Sequence, residues 1–383
     1  MAQDPIYLDH HATTPCDPRV ADVMWPFFTS EFGNAGSRSH TWGLRARHAV
    51  EHARSQVATW LSVSPKEVVF TSGATESDNL AILGVLRAAA GPRHLVTLVT
   101  EHNAVLDPVA ELAKEGVEVT VLPVGSDGLV DPDDVIAALK PHTKLVSIMR
   151  VNNETGVMQP LAEIGAACRE RGVWLHTDAA QAAWVPVDTK ALQVDLVSVS
   201  AHKIFGPKGI GALVVRRTRP RIEVAPLQFG GGQERGLRSG TLSVPLIVGL
   251  GKAAELVAAD LAADVPSHIR TLRDRLRDGL EREVGGLTVN GSLEQRTPNN
   301  LHVSFEGVEA APLMAQLSDS VGLSSGSACS SASLEPSHVL AAMGITAEVA
   351  QRSVRFGLGR PTTEQDIDAV IGRVAEAAAR VRA

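Results

Sequence analysis

The sequence predicts an α/β fold: a large domain with a mainly parallel sheet of the seven-stranded kind under helices, plus a smaller α+β domain. Three observations carry this. The chain has 383 residues, past the roughly 250 to 300 at which a single core stops growing, so a second domain is expected. Between residues 67 and 215 short β-branched runs alternate with helical stretches, and the runs are nearly all apolar, as strands covered on both faces must be. Beyond residue 240 the order changes to a long helical connector followed by strand, helix, loop, strand and helix.

Taken in order, EVVF is the first strand of the sheet and residues 76–90 its following helix. HLVTLV precedes a helix over 104–115, VEVTVLP one over 131–139, and TKLVSIMRV one near 162–171. The strands VWLHTDA, DLVSVSA and GALVVR complete the alternation. Residues 245–280 have helical spacing interrupted by Pro266 and read as the connector. The strand NNLHVSF, a helix over 310–318, a Ser/Gly/Ala loop over 322–333, the strand SVRFGLG and a helix over 363–380 make the second unit. The expected division is 14–258 for the large domain, with 1–13 and 259–383 forming the small one.

Composition narrows the functional classes. The chain is 44% hydrophobic and 21% charged, with a formal net charge of -7. That excludes a disordered or collagenous chain and leaves no basic footprint for nucleic acid. The start MAQDPIYLDHH has neither the basic residues nor the apolar run of a signal peptide, and no membrane helix is expected, so the protein reads as cytoplasmic. The three cysteines, Cys16, Cys168 and Cys329, lie far apart without metal-type spacing. Cys16 and Cys168 fit the pattern of buried core cysteines.

Chemistry concentrates at strand ends. Of eight lysines, Lys203 alone follows an apolar strand, DLVSVSA, and precedes a glycine turn, IFGPKG. Such a lysine suits a covalently held aldehyde cofactor, and an ordinary salt bridge is the competing reading. Asp178 ends VWLHTDA, where a partly buried carboxylate suits the ring nitrogen of pyridoxal phosphate (PLP) and a helix cap is the alternative. The segment TSGATES ahead of a helix offers backbone N–H groups to a phosphate around Gly73 and Thr75, with Ser200 and His202 as added donors. His102 follows HLVTLV at the same sheet edge, where open α/β sheets bind ligands. Cys329 sits in SSGSACSSAS, a loop suited to a moving nucleophile or to a plain linker. The adjacent His10 and His11 lack a third ligand for a metal and are expected to line the site entrance.

Ten segments together resemble the group I cysteine desulfurases of the NifS/IscS type, fold-type I PLP enzymes within the class V aminotransferase superfamily. They are YLDHHATTPCDPRV, FGNAGSRSH, FTSGATESDN, EHNAVLDP, VNNETGVMQP, HTDAAQ, SAHKIFGPKGIGAL, GGGQERGLRSGTL, SSGSACSSASLEPSHVL and SVRFGLGRPTTEQDID, and they span the chain nearly end to end. The resemblance implies Lys203 as the Schiff-base lysine, Asp178 at the pyridine nitrogen, Gln181 as donor to the ring hydroxyl and His102 stacked on the ring. It implies phosphate contacts from Ala74, Thr75, Ser200 and His202, with Thr241 supplied by the second subunit of a homodimer. Asn153 and Arg355 would hold the carboxylate of L-cysteine, and Cys329 would accept its sulfur as a persulfide for an acceptor protein such as an iron–sulfur scaffold. The rival expectations are a selenocysteine lyase, a class V aminotransferase, or a non-catalytic scaffold for sulfur assembly.

Overall fold

The computed structural model describes residues 5–325 and 337–382. Its strands are β1 (Ile6–Tyr7), β2 (Val68–Thr71), β3 (His94–Leu98), β4 (Glu118–Leu122), β5 (Thr143–Ser147) and β6 (Trp174–Asp178). They continue with β7 (Leu196–Ser200), β8 (Gly211–Val215), β9 (Leu287–Val289), β10 (Asn300–Phe305), β11 (Val321–Gly322) and β12 (Ser353–Gly357). The main sheet has seven strands in the order β2-β8-β7-β6-β5-β3-β4. β8 runs antiparallel to both its neighbours, and the other strands all point the same way.

This direction positions the site. Apolar runs such as β2, β3 and β7 are buried along their full length because helices cover both faces of the sheet. Polar groups are therefore driven to the strand ends, and the carboxyl ends of β2, β3, β5, β6 and β7 share one edge. The connector expected over 245–280 is two helices, Val244–Ala262 and Val265–Glu283, with Pro266 in the first turn of the second, where its missing N–H costs nothing.

A helix not anticipated above, Thr41–Trp60, packs along Val244–Ala262. Gly251 makes the close approach: a Cβ there would lie 2.6 Å from Ala53 Cα. The remaining strands form a three-stranded antiparallel sheet, β12-β10-β9, and a parallel pair, β1-β11. β12 is buried throughout and carries Arg355 toward the edge of the main sheet.

Candidate active site

The shared edge opens into a cavity of about 860 Å³ whose walls include Thr75, His102, Asp178, Lys203 and Arg355. Lys203 ends the one-turn 3-10 helix that directly follows β7. Its Nζ donates to the carbonyls of His11 at 2.5 Å and Ala12 at 2.9 Å. That segment is tied back in turn, with Thr14 N donating to His202 O at 2.8 Å. Asp178 is the last residue of β6, in register with Ser198 of β7, and accepts the Ala180 N–H at 2.8 Å. Burial, then the nearby Asp78 carboxyl, push its pKa up to about 7.

At the other end of the cavity the helix Ala74–Ala88 begins at Gly73, with no side chain capping it, so its first amides remain open donors. Gly73 has φ +158, and Gly211 of β8 lies so close that a Cβ on it would sit 2.7 Å from Gly73 Cα. Glu76, in that first turn, accepts from Ser72 N at 2.7 Å and Arg238 Nε at 2.8 Å. Its charge is thus spent inside the protein. Ser200 and His202 border the same end. His202 meets Thr13 Oγ1 at 3.1 Å, and burial together with Lys203 and Lys208 lowers its pKa to about 4. The same cations favour an anion here.

These groups match PLP part for part. Open helix amides with Ser200 and His202 suit a phosphate, the primary amine of Lys203 suits an aldehyde, and Asp178, buried without a cationic partner among the described residues, suits a protonated ring nitrogen. Gln181 is held beside them: its Oε1 lies 3.0 Å from His11 Nδ1 and its Nε2 donates to His11 O at 2.9 Å, leaving one amide hydrogen for a ligand.

The facing wall is built from distant segments. Arg355 is 1% exposed and donates to Asn153 O at 2.7 Å and Asp9 Oδ1 at 2.8 Å. Asn153 also lines the cavity. His102 caps the helix Asn103–Lys114, its Nδ1 accepting from Ala104 N at 3.0 Å. On either side of residues 326–336, Ser324 bridges to Arg355, while Ser337 Oγ donates to Glu154 Oε2 at 2.5 Å and His338 Nε2 lies 3.0 Å from Glu101 O.

Thus Ala74, Thr75, His102, Asn153, Asp178, Gln181, Ser200, His202, Lys203 and Arg355 line one cavity. Thr241 is exposed and is not among its lining residues. Cys329 lies outside the described residues. Two expectations need correction. His10 and His11 do not line an entrance: both are buried, His11 in the cavity wall under Lys203 and His10 against Phe205, with Gly357 and Gly359 making the room. Cys168 is buried, but Cys16 is exposed, because it precedes the helix Pro18–Met24 at the surface.

Asp78, Glu101, Met149, Glu154, Ser337 and His338 also reach this region, and the sequence reading missed them. The available signal was an acid, Asp78, just ahead of the apolar run LAILGV within a helical stretch. Among the described residues no helix is long and apolar enough to cross a membrane, and no group of three metal-type side chains occurs.

Comparison with known proteins agrees with this arrangement. The family model "Aminotransferase class-V" matches residues 6–370. The chain is 55% identical to "Cysteine desulfurase IscS" of Anaeromyxobacter dehalogenans strain 2CP-C over 99% of this chain and 93% of that protein. A solved "NifS-like protein" superposes with a TM-score of 0.90 at 36% identity, covering 97% of this chain and 98% of that one. The structure "SspA in complex with cysteine" superposes with a TM-score of 0.82 at 37% identity, covering 92% and 98%. With a family match running almost from end to end and the sheet edge built as described, the chain belongs to the class-V aminotransferase family.

Proposed function

We propose that this protein is a PLP-dependent L-cysteine desulfurase that releases L-alanine and passes the sulfur, as a persulfide on Cys329, to an acceptor protein. One observation carries the reading: Lys203 and Asp178, from adjacent parallel strands, meet the open helix end at residue 74 and Arg355 around one cavity. The likeness to proteins named cysteine desulfurase and to a structure holding cysteine supports the substrate.

Bound PLP would supply an aldehyde for the substrate amine and a ring that stores the electrons of the α-carbon. Lys203 Nζ would hold that aldehyde and, once displaced, move a proton at the substrate α-carbon. Asp178 would keep a proton on the ring nitrogen. His102 would stack on the ring and relay protons, and Gln181 would donate to the ring hydroxyl. Ala74 and Thr75, with Ser200 and His202, would bind the phosphate, joined by Thr241 of a second subunit. The Asn153 and Arg355 side chains would orient the substrate carboxylate, the latter through two parallel hydrogen bonds. The Cys329 thiolate would then form the S–S bond as the substrate Cβ–S bond breaks, and the carbon left behind takes a proton to become alanine. Ser324 and Ser337, which flank residues 326–336, both meet groups of the cavity wall, which supports this reach.

The division at 14–258 is supported by the seven-stranded sheet lying within it and the smaller sheets outside it, although its end falls within the helix Val244–Ala262. A homodimer is supported by the exposed Trp25, Phe28, Phe32, Trp42 and Phe229. We assign the protein to the cytoplasm and its sulfur to an acceptor such as an iron–sulfur scaffold. The test is incubation of the PLP-loaded protein with L-cysteine. Equimolar alanine and a Cys329 peptide heavier by one sulfur are expected, and pyruvate or transamination products without persulfide would refute the assignment.

A further inference from the structure

Behind Asp178 a polar stripe crosses the sheet. Ser147 of β5 and His176 of β6 are register partners, as are Asp178 and Ser198 of β7, so all four share one face. His176 Nδ1 lies 2.9 Å from Ser147 Oγ and its Nε2 3.0 Å from Ser198 Oγ. The helix Ala74–Ala88 covers this face and sets Asp78 over it, with Oδ1 3.5 Å from His176 Nε2. Asp78 is fully buried; neither oxygen has a hydrogen bond of good geometry, and the Ser198 hydroxyl beside it favours its anion.

Asp78 and Asp178 both line the cavity, and the Asp78 carboxyl acts on Asp178 as a like charge. No Lys or Arg side chain bonds either one among the described residues. His176 does not serve as the counter-cation, because burial holds its pKa near 4. Other groups facing the pair are Glu101, whose own carboxyl burial pushes well above its usual range, and His102. β2, β7 and β8 bring no titratable side chain, and Lys144 lies at the far end of β5. Two carboxyls in this setting retain a proton between them.

The environment is unequal. Asp178 has a backbone N–H on Oδ1 to stabilise its anion and is 7% exposed, whereas Asp78 is 0% exposed and has the Ser198 hydroxyl, which it shares with His176. We propose that Asp78 is a positioning residue that carries the proton of the Asp78–Asp178 pair, leaving Asp178 the ionised member toward the cofactor ring. The proposal rests on reading Asp178 as the partner of the PLP ring nitrogen. It assigns Asp78 no contact with substrate: a neutral acid here fills the space over the stripe without competing for the ring's charge.

A neutral carboxylic acid and an amide have nearly the same shape and polarity, so Asp78→Asn is the informative change. On the PLP-loaded protein near neutral pH, infrared difference spectra against the parent should show that Asp78→Asn removes a protonated-carboxyl band, separate from the one that Glu101→Gln removes. Asp78→Asn should bind PLP within about threefold of the parent, while Asp178→Asn should weaken binding about tenfold or more. An unchanged band in Asp78→Asn, with Asp178→Asn impaired, overturns the proton assignment alone. Undiminished PLP affinity in Asp178→Asn instead overturns the reading of Asp178. If Asp78→Asn fails to fold, residue-assigned carboxyl-¹³C aspartate NMR of the parent decides: Asp78 protonated and Asp178 ionised near neutral pH supports the proposal, and Asp178 as the protonated member, or both ionised, refutes it.

Discussion

The two walls of the cavity are built in different ways. The wall of Lys203, Asp178 and the Gly73 turn is made from successive ends of one sheet, fixed by continuous backbone ladders. The wall of Arg355 gathers Asp9, Asn153, Glu154, Ser337 and β12 from across the chain through side-chain hydrogen bonds. Their carboxylates differ accordingly. Asp9 is paired with Arg355 at 2.8 Å, whereas Asp178 is buried without a cation among the described residues. The paired acid orients its partner; the unpaired one is costly unless a ligand brings positive charge.

The largest effect should come from the rigid wall. Lys203→Ala is expected to lose the cofactor's lysine-linked visible absorbance and at least about 100-fold in turnover. Lys208→Ala, in the turn beyond it, should keep both. A coloured, fully active Lys203→Ala protein would break the assignment of that wall. Cys329→Ser should come next: cofactor absorbance kept and still shifted by cysteine, alanine release down about 100-fold, and no added sulfur on the peptide by mass. Cys16→Ser and Cys168→Ser should stay near the parent rate, the latter thiol being held up near pKa 12 by burial.

On the assembled wall the effects should be smaller and confined to substrate. Arg355→Lys is expected to raise KM for cysteine about tenfold without altering the cofactor spectrum, since an ammonium does not reproduce two parallel hydrogen bonds. Asp9→Asn removes only the orienting charge and should raise KM about two- to fivefold. Steady-state kinetics beside absorbance titration separates the two walls. A cofactor-affinity loss in either variant would mean that they are one unit.

The smallest effect is a pH dependence. Asp78 and Asp178 have folded pKa values near 7, raised by burial above 3.8. Between those values the folded state binds more protons than the unfolded, so stability contributed by these groups is present below 3.8 and lost as pH rises through 7. A cation at the ring position offsets that loss. The melting-temperature gap between PLP-loaded and stripped protein is therefore expected to widen from about pH 5 to about pH 8. A gap that stays constant would show that Asp178 does not sense the cofactor.

Local pattern was enough for the rigid wall. Lys203 and Asp178 were legible because each ends an apolar run, and a parallel sheet brings such ends to one edge whatever the remaining sequence does. The Gly73 turn was legible because glycine before a helix marks both close backbone approach and free amides. Arg355, Asn153 and Gln181 carry no such local mark, and their assignment came from resemblance to a family.

Only the tertiary structure decided what surrounds these groups. It put His11 into the wall rather than at an entrance, left Cys16 at the surface, and set Asp78 over the His176 stripe. Strand ends follow from hydrogen-bond geometry and apolar burial, which act over a few residues and can be read in order. The pairing of Asp9 with Arg355 and the placing of Asp78 and Asp178 around one cavity join residues 346 and 100 positions apart (355 − 9 and 178 − 78). Charge and burial at such places depend on which segments fold against each other, and that is a property of the packed chain.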